Sequence, residues 1–301
     1  MKILISGSHG LIGSALIDRL HADGHSTARL VRGQADVGDV SWDPAGGTLA
    51  PAAVEGFDGV VHLAGEGIGE KRWTAEQKAK ILDSRVQGTT LLASTLAQLP
   101  ESGRPSVLVS ASAVGYYGDR GSETLTEDSS SGAGFLAEVT RQWEASTAAA
   151  SAAGIRVVHL RTGIVLSSKG GALKETLPIF KLGLGGRLGS GRQYWSWIGI
   201  DDEVGAIVHA LTNDEVRGPL NATAPNPVTN AEFTKAVGKA LNRPAFLMVP
   251  KAALAVRFGS EMVGEMLVGG QKVLPARLEA TGYKFQHPTL AGALAATLPR
   301  R

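Results

Sequence analysis

Ile3-Leu4-Ile5-Ser6-Gly7-Ser8-His9-Gly10-Leu11-Ile12-Gly13 decides the fold. A short apolar run stops at a glycine, glycines return after three and six residues, and a helix-like pattern begins at Ser14-Ala15-Leu16-Ile17-Asp18-Arg19-Leu20. The reading is strand, tight turn, helix. In such a turn the first glycine bends the chain sharply, the second admits a pyrophosphate to the backbone, and the third lets helix pack on strand. The helix N-terminus then faces the anion. The spacing is G-x-x-G-x-x-G rather than G-x-G-x-x-G, so the general dinucleotide fingerprint is met only approximately. With 39 glycines among 301 residues, the turn alone does not settle a ligand.

Further along, Ser26 to Arg32 predicts a second strand. The acidic residue that would hold an adenosine ribose 2′-OH belongs at its end, and that place holds Val31-Arg32-Gly33. An arginine fork pairs with a 2′-phosphate, so Arg32 favours NADP(H) over NAD(H); the alternative is a solvated strand-end arginine. Val40-Ser41-Trp42 reads as a short third strand, and Phe57 to Gly65 as a buried parallel strand ending in small residues where a ligand approaches. His62 inside that run reads as a core histidine. Thr74 to Leu99 predicts a long helix whose Lys78, Lys80 and Arg85 are either a solvated face or reach a cofactor phosphate or ribose. Val107 to Ser112 is a strand, Gly134 to Ala153 an Ala-rich helix, and Ile155 to Gly163 a sixth strand.

That alternation predicts an α/β fold, a Rossmann-like doubly wound parallel sheet. Beyond Ser167 the pattern breaks. Leu182 to Gly191 is glycine-rich, Tyr194-Trp195-Ser196-Trp197 fits either a core plug or a substrate wall, and Asp201 or Asp202 is expected to cap a helix running to Leu211. A helix over Ala231 to Leu241 and a strand near Phe246 to Val249 follow. The expected division is a dinucleotide-binding domain over 1–168 plus about 198–224, with a smaller C-terminal α/β cap from about 169–197 and 225–301.

Hydrophobic content of 43% with 19% charged residues is ordinary for a globular protein. A net charge of +2 without any Lys/Arg run gives no reason to expect nucleic acid. No cysteine is present, which excludes disulfides, thiolate metal sites and thiol nucleophiles; no metal is expected. The apolar stretch before the glycine turn is too short for a signal peptide, and no charge-free run reaches a membrane span. The expectation is a soluble, cytoplasmic protein.

The chain as a whole resembles an atypical extended short-chain dehydrogenase/reductase of the nucleotide-sugar epimerase superfamily. More narrowly it is similar to an NAD(P)-binding epimerase-like family with a small C-terminal domain of unknown function. The resemblance rests on Gly7-Ser8-His9-Gly10-Leu11-Ile12-Gly13, His62-Leu63-Ala64-Gly65-Glu66, Arg72-Trp73 and Ser84-Arg85. It continues through Gly183-Leu184-Gly185-Gly186, Gly189-Ser190-Gly191-Arg192-Gln193, Trp197-Ile198, Asn221-Ala222-Thr223-Ala224-Pro225 and Val273-Leu274-Pro275. Gly199 departs from it, standing where histidine is expected after Trp-Ile. The resemblance implies Gly10, Leu11 and Ile12 at the pyrophosphate, Arg32 at the 2′-phosphate and Leu63-Ala64-Gly65 along the adenosine side. It also implies cofactor contacts from Lys80 and Arg85, Val165 beside the nicotinamide, and, by analogy, a homodimer.

Enzymes of this superfamily move a proton with a Tyr-x-x-x-Lys pair. Four residues after Tyr116, Tyr117, Tyr194 and Tyr283 stand Arg120, Gly121, Ile198 and His287, so the pair is missing. Phe135-Leu136-Ala137-Glu138-Val139 occupies the corresponding stretch, and phenylalanine transfers no proton. The candidate replacements are Ser112, Tyr116 or Tyr117, and Glu138, a glutamate that burial could turn into an acid near neutrality. Their bland readings are a strand-end cap, packed hydroxyls and a solvated helix residue. Two functions follow. The first is an NADP(H)-dependent oxidoreductase or epimerase-like enzyme acting on a small polar, carbonyl or sugar-like substrate. The alternative is a catalytically weak NADP(H)-binding regulatory or redox-sensing protein.

Overall fold

Lys2–Ser6 (β1) is buried along its whole apolar run, and successive side chains point to opposite faces: Ile3 and Ile5 to one core, Leu4 to another. A strand apolar on both faces needs helices on both sides. The computed structural model describes residues 1–298 and shows that arrangement. The sheet adds Ser26–Arg32 (β2), Val40–Trp42 (β3), Gly59–His62 (β4), Val107–Ala113 (β5), Arg156–Thr162 (β6) and Gly218–Ala222 (β7). All seven strands are parallel, in the order β3-β2-β1-β4-β5-β6-β7. The order reverses between β1 and β4, so a crevice opens beyond the carboxyl ends of those two strands. This is a Rossmann-like doubly wound sheet, as the alternation implied.

On one face Leu11–Ala22 (α1) and the helix Ile200–Thr212 pack Leu16, Leu20, Ile207 and Leu211 onto the sheet. On the other, Ala75–Gln98 (α2) supplies Leu92 and Leu96. A third core joins Leu173 and Leu177 of the helix Gly171–Lys181, Phe233 and Val237 of the helix Asn230–Ala240, and Leu290 and Leu294. Each such side chain, fully buried, contributes roughly 1.5–3 kcal/mol.

Two expectations are corrected. The helix expected over 134–153 is two, Phe135–Ala145 (α3) and Ala148–Ala152 (α4). The hydroxyls of Ser146 and Thr147 bond back to the carbonyls of Gln142 and Glu144 at 2.7 and 2.8 Å and interrupt the helix there. The helix over 200–212 starts from Gly199, not from an aspartate cap. Asp202 is instead fully buried and accepts Gln286 N–H, His287 N–H and the Tyr283 hydroxyl at 2.7, 2.9 and 3.0 Å, fastening the C-terminal segment. β7 closes the sheet as an edge strand, a position that tolerates its Pro219.

Candidate functional site

The turn after β1 leaves no room for side chains. Gly7 has φ +69°, and a Cβ there would sit 2.8 Å from the Leu63 carbonyl carbon; one on Gly13 would sit 2.3 Å from Gly7 O. Gly10 N–H donates to Gly7 O at 2.9 Å and closes the loop. α1 then begins with no side-chain cap and no acidic residue in its first turn. Its first N–H groups, on Leu11, Ile12 and Gly13, face the crevice with the positive end of the helix dipole. With Leu63 and Val165 these residues line a cleft of about 370 Å³. Its other lining residues, Ile164, Gly171 and Ala172, follow β6 and were not foreseen, because the sequence there carries no motif.

The floor beside this cleft is fixed by a buried polar chain. Ser6 Oγ accepts the N–H groups of Leu63 and Ala64 at 3.1 and 3.3 Å and therefore donates to His62 Nδ1 at 2.6 Å. His62 Nε2–H is then left to donate to Thr89 Oγ1 at 3.1 Å, which also accepts the Trp143 indole N–H at 3.0 Å. Burial lowers the His62 pKa from 6.5 to about 4, so the ring is neutral and structural, as the strand context implied.

Arg32 is exposed at the carboxyl end of β2, next to β1 in the sheet, and has neither a hydrogen bond nor an ion pair among the described residues. Lys80 does not reach the crevice: its ammonium pairs with Glu76 at 2.5 Å on the solvent side of α2. Arg85, from the same helix, turns inward. It donates to Glu66 O and Ile81 O at 2.9 and 3.0 Å, lies 4.9 Å from the Trp143 ring centre, and would meet a Cβ on Gly65 at 3.3 Å. Burial lowers its pKa to about 10, which leaves it cationic near neutrality.

Arg85 lines a second cavity of about 180 Å³, and Ile164 is a wall of both spaces, so the two lie side by side. The walls are mainly apolar: Ile68, Val114, Leu136, Val139, Trp143 and Trp195. Val139, the end of the Phe135–Val139 stretch, is one of these walls. The polar groups are Arg85, Thr140, Thr162, Ser196, Gln271 and Glu265. Glu265 lies in a π-helical turn, Val263–Val268, and its two oxygens accept the N–H groups of Phe135 and Leu136 at 2.8 Å each. It caps α3 where Gly134, at φ +106°, offers no side chain. Neither Glu265 nor Gln271 carried a sequence signal, because Glu265 meets α3 across 130 residues and Gln271 bonds through its backbone to Tyr194 and Ser196, distant neighbours in the chain.

The structure does not bring the four proposed acids into this cavity. Along β5 it is Ala113 that meets the cavity, while Ser112 points to Glu144 and donates to it at 2.6 Å. Glu144 also takes Arg161 through Nε and Nη2 at 2.8 Å each. Arg161 Nη1 donates to the Tyr117 hydroxyl at 3.0 Å, and that hydroxyl donates to Asn221 Oδ1 at 2.7 Å. Burial raises the Tyr117 pKa, the wrong direction for an acid near neutrality. Tyr116 stacks its ring 3.4 Å from the Arg161 guanidinium carbon. Glu138 is exposed and bound to Gln142 and Arg141, which lower its pKa. Ser112, Tyr116 and Tyr117 thus serve an ion-pair network, and Glu138 is a surface residue.

Comparison with known proteins decides the family. The NAD dependent epimerase/dehydratase family matches residues 3–222, and a domain of unknown function, DUF1731, matches 249–297. The chain belongs to the NAD dependent epimerase/dehydratase family. An epimerase family protein of Mycobacterium bovis is 44% identical over 293 residues, 97% of this chain and 96% of that one. The crystal structure of the human epimerase family protein SDR39U1 with NADPH superposes with a TM-score of 0.89 at 37% identity and covers 99% of both chains. A nucleoside-diphosphate sugar epimerase from Corynebacterium glutamicum has a TM-score of 0.81 at 38% identity, over 99% of this chain and 58% of that longer one.

In this epimerase-family chain the departure at Gly199 has a spatial counterpart. The His287 ring, from the C-terminal segment, lies 3.7 Å from where a Gly199 Cβ would stand. It approaches Asp201 Oδ2 at 3.4 Å. A Cβ at 199 would stand in ordinary van der Waals contact with this ring. Among the described residues no helix is long and apolar enough to cross a membrane, and no cluster of three or more His, Cys, Asp or Glu residues has metal-binding geometry.

Proposed function

We propose that this chain binds NADP(H) along the crevice and works as an oxidoreductase or epimerase-like enzyme on a small carbonyl compound. One observation carries the reading: the glycine-turn cleft and the apolar cavity share Ile164. A dinucleotide laid from one to the other puts its pyrophosphate at α1 and its nicotinamide beside the cavity. The cradle fits the group, since Gly7, Gly10 and Gly13 line the cleft and add no side chain to it. Gly10, Leu11 and Ile12 would hold the pyrophosphate, Leu63, Ala64 and Gly65 the adenosine side, Arg32 the 2′-phosphate, and Arg85 and Val165 the nicotinamide half. SDR39U1, crystallised with NADPH, supports the phosphorylated cofactor.

When bound, the nicotinamide supplies or accepts hydride. The walls supply little hydrogen bonding, so a bulky sugar with many hydroxyls is a poorer match than a compact carbonyl compound with an apolar body. The test is NADPH oxidation across a panel of small aldehydes and ketones. Turnover that is lost when Val139→Arg fills the cavity supports the reading.

Phe135 and Val139, in place of tyrosine and lysine, favour a second reading, an NADP(H)-binding regulatory or redox-sensing protein. Tight NADPH binding without turnover on the whole panel selects it.

A further inference from the structure

Behind the cavity wall lies a buried carboxyl group with an unpartnered oxygen. Glu203, in the first turn of the helix Ile200–Thr212, is fully buried. Its Oε1 accepts the Thr162 hydroxyl at 2.8 Å, and its Oε2 has no partner among the described residues. Among the described residues no lysine, arginine or histidine pairs with it. Asp202 precedes it in the helix, and Tyr283 from the C-terminal segment commits its hydroxyl to Asp202 at 3.0 Å. A carboxylate so placed would be an unpaired buried charge, so the group rests as the neutral acid. Burial raises its pKa to about 8. Thr162 stands between this acid and the cavity, which it lines at the carboxyl end of β6.

We infer that Thr162 and Glu203 form a proton relay that opens on the cavity, with Thr162 Oγ as the delivering atom and Glu203 as its proton store. The inference rests on the oxidoreductase reading for its use. A carbonyl carbon that receives hydride leaves the C=O electron pair on oxygen. The Thr162 hydroxyl turns from Glu203 Oε1 to that oxygen, its O–H bond breaks and its proton forms the new alcohol O–H, while the Glu203 carboxyl turns its own O–H to Thr162 Oγ and passes that proton to it. Glu203 is left as carboxylate and regains a proton from solvent once product leaves. The relay does the work of the absent tyrosine with residues from β6 and the following helix. In the oxidative direction the same protons run backward. Thr162 touches the cavity and is the catalytic residue; Glu203 acts through it.

Infrared spectroscopy of the full chain, without substrate, tests the relay. At pH 7 the carbonyl stretch of a protonated carboxylic acid is expected in the parent and absent in Glu203→Gln. On transfer to D2O that band shifts as its proton exchanges through Thr162. In Thr162→Val the exchange is expected to slow by ~10-fold or more, toward the rate set by opening of the fold. Thr162→Ser, which keeps the hydroxyl, is expected to restore it, an effect that mere packing does not produce. No band lost in Glu203→Gln, equal exchange in Thr162→Val, or failure of Thr162→Ser to restore it overturns the relay. A nicotinamide-fluorescence titration with NADPH, run alongside, reads the cofactor. Absent binding with the exchange pattern intact overturns the oxidoreductase reading and leaves the relay standing.

Discussion

The Glu265 carboxylate accepts the backbone N–H of Phe135 at 2.8 Å, so a side chain from the DUF1731 match caps a helix 130 residues earlier in the chain. The contact makes the C-terminal segment a wall of the cavity and a support of α3 at once. Glu265→Ala removes both accepted hydrogen bonds and is expected to cost about 1–2 kcal/mol, the range of a lost N-cap. Thermal unfolding checks this; an unchanged Tm contradicts it.

Glu144 and Arg161 give a contrast between neighbours in one network. Glu144→Ala leaves the Arg161 guanidinium buried without its carboxylate and is expected to destabilise by about 3–5 kcal/mol. Ser112→Ala removes one hydrogen bond to the same carboxylate and is expected to cost about 1 kcal/mol, with NADPH affinity unchanged. Denaturant unfolding and cofactor titration of the two variants separate these outcomes. A large loss of cofactor affinity in Ser112→Ala would restore that serine to the site.

Much of this was legible because it is local. The glycine turn, the two-sided apolar strands and the strand-helix alternation are patterns of near neighbours, and they predicted the sheet. The neutral core role of His62 was also legible from its run. What could not be read was which way polar residues turn and whom they meet. Ser112 and Ala113 are adjacent, yet the pleat of β5 gives one to Glu144 and the other to the cavity. Lys80 and Arg85 share a helix, but only Arg85 faces inward. Glu203 carried no sequence signal; its burial follows from the packing of that helix on the sheet.

Stability against pH isolates Glu203. Its folded-state pKa is raised from 4.5 to about 8, so its contribution is fully present below pH 4.5 and is lost as pH rises through 8. His62 has the opposite sign: its pKa is lowered from 6.5 to about 4, so its contribution is present above 6.5 and is lost as pH falls through 4. The two slopes oppose each other between 4.5 and 6.5. Between 6.5 and 8 Glu203 acts without that opposition, and its contribution is expected to fall by roughly 1.4 kcal/mol per pH unit. Denaturant unfolding of Glu203→Gln should lack this component; an identical profile in parent and variant contradicts it.

Gly13→Ala tests the cradle. The added methyl would lie 2.3 Å from the Gly7 carbonyl oxygen, a backbone atom that moves only if the turn opens. NADPH binding is expected to weaken by more than ~10-fold, with the fold retained at a cost of about 1–3 kcal/mol. Isothermal calorimetry with circular dichroism checks both; parental affinity would show that the dinucleotide lies elsewhere.

The central claim is that the cleft at α1 takes NADP(H), with Arg32 on the 2′-phosphate. The most direct test follows nicotinamide fluorescence during titration of the parent and Arg32→Ala with NADPH and NADH. NADPH is expected to bind the parent ~100-fold tighter than NADH, a difference of about 2.7 kcal/mol, and Arg32→Ala is expected to lose most of that preference. Equal affinity for the two nucleotides, or a preference that survives in Arg32→Ala, contradicts the role of Arg32. Binding of neither contradicts the cofactor site itself.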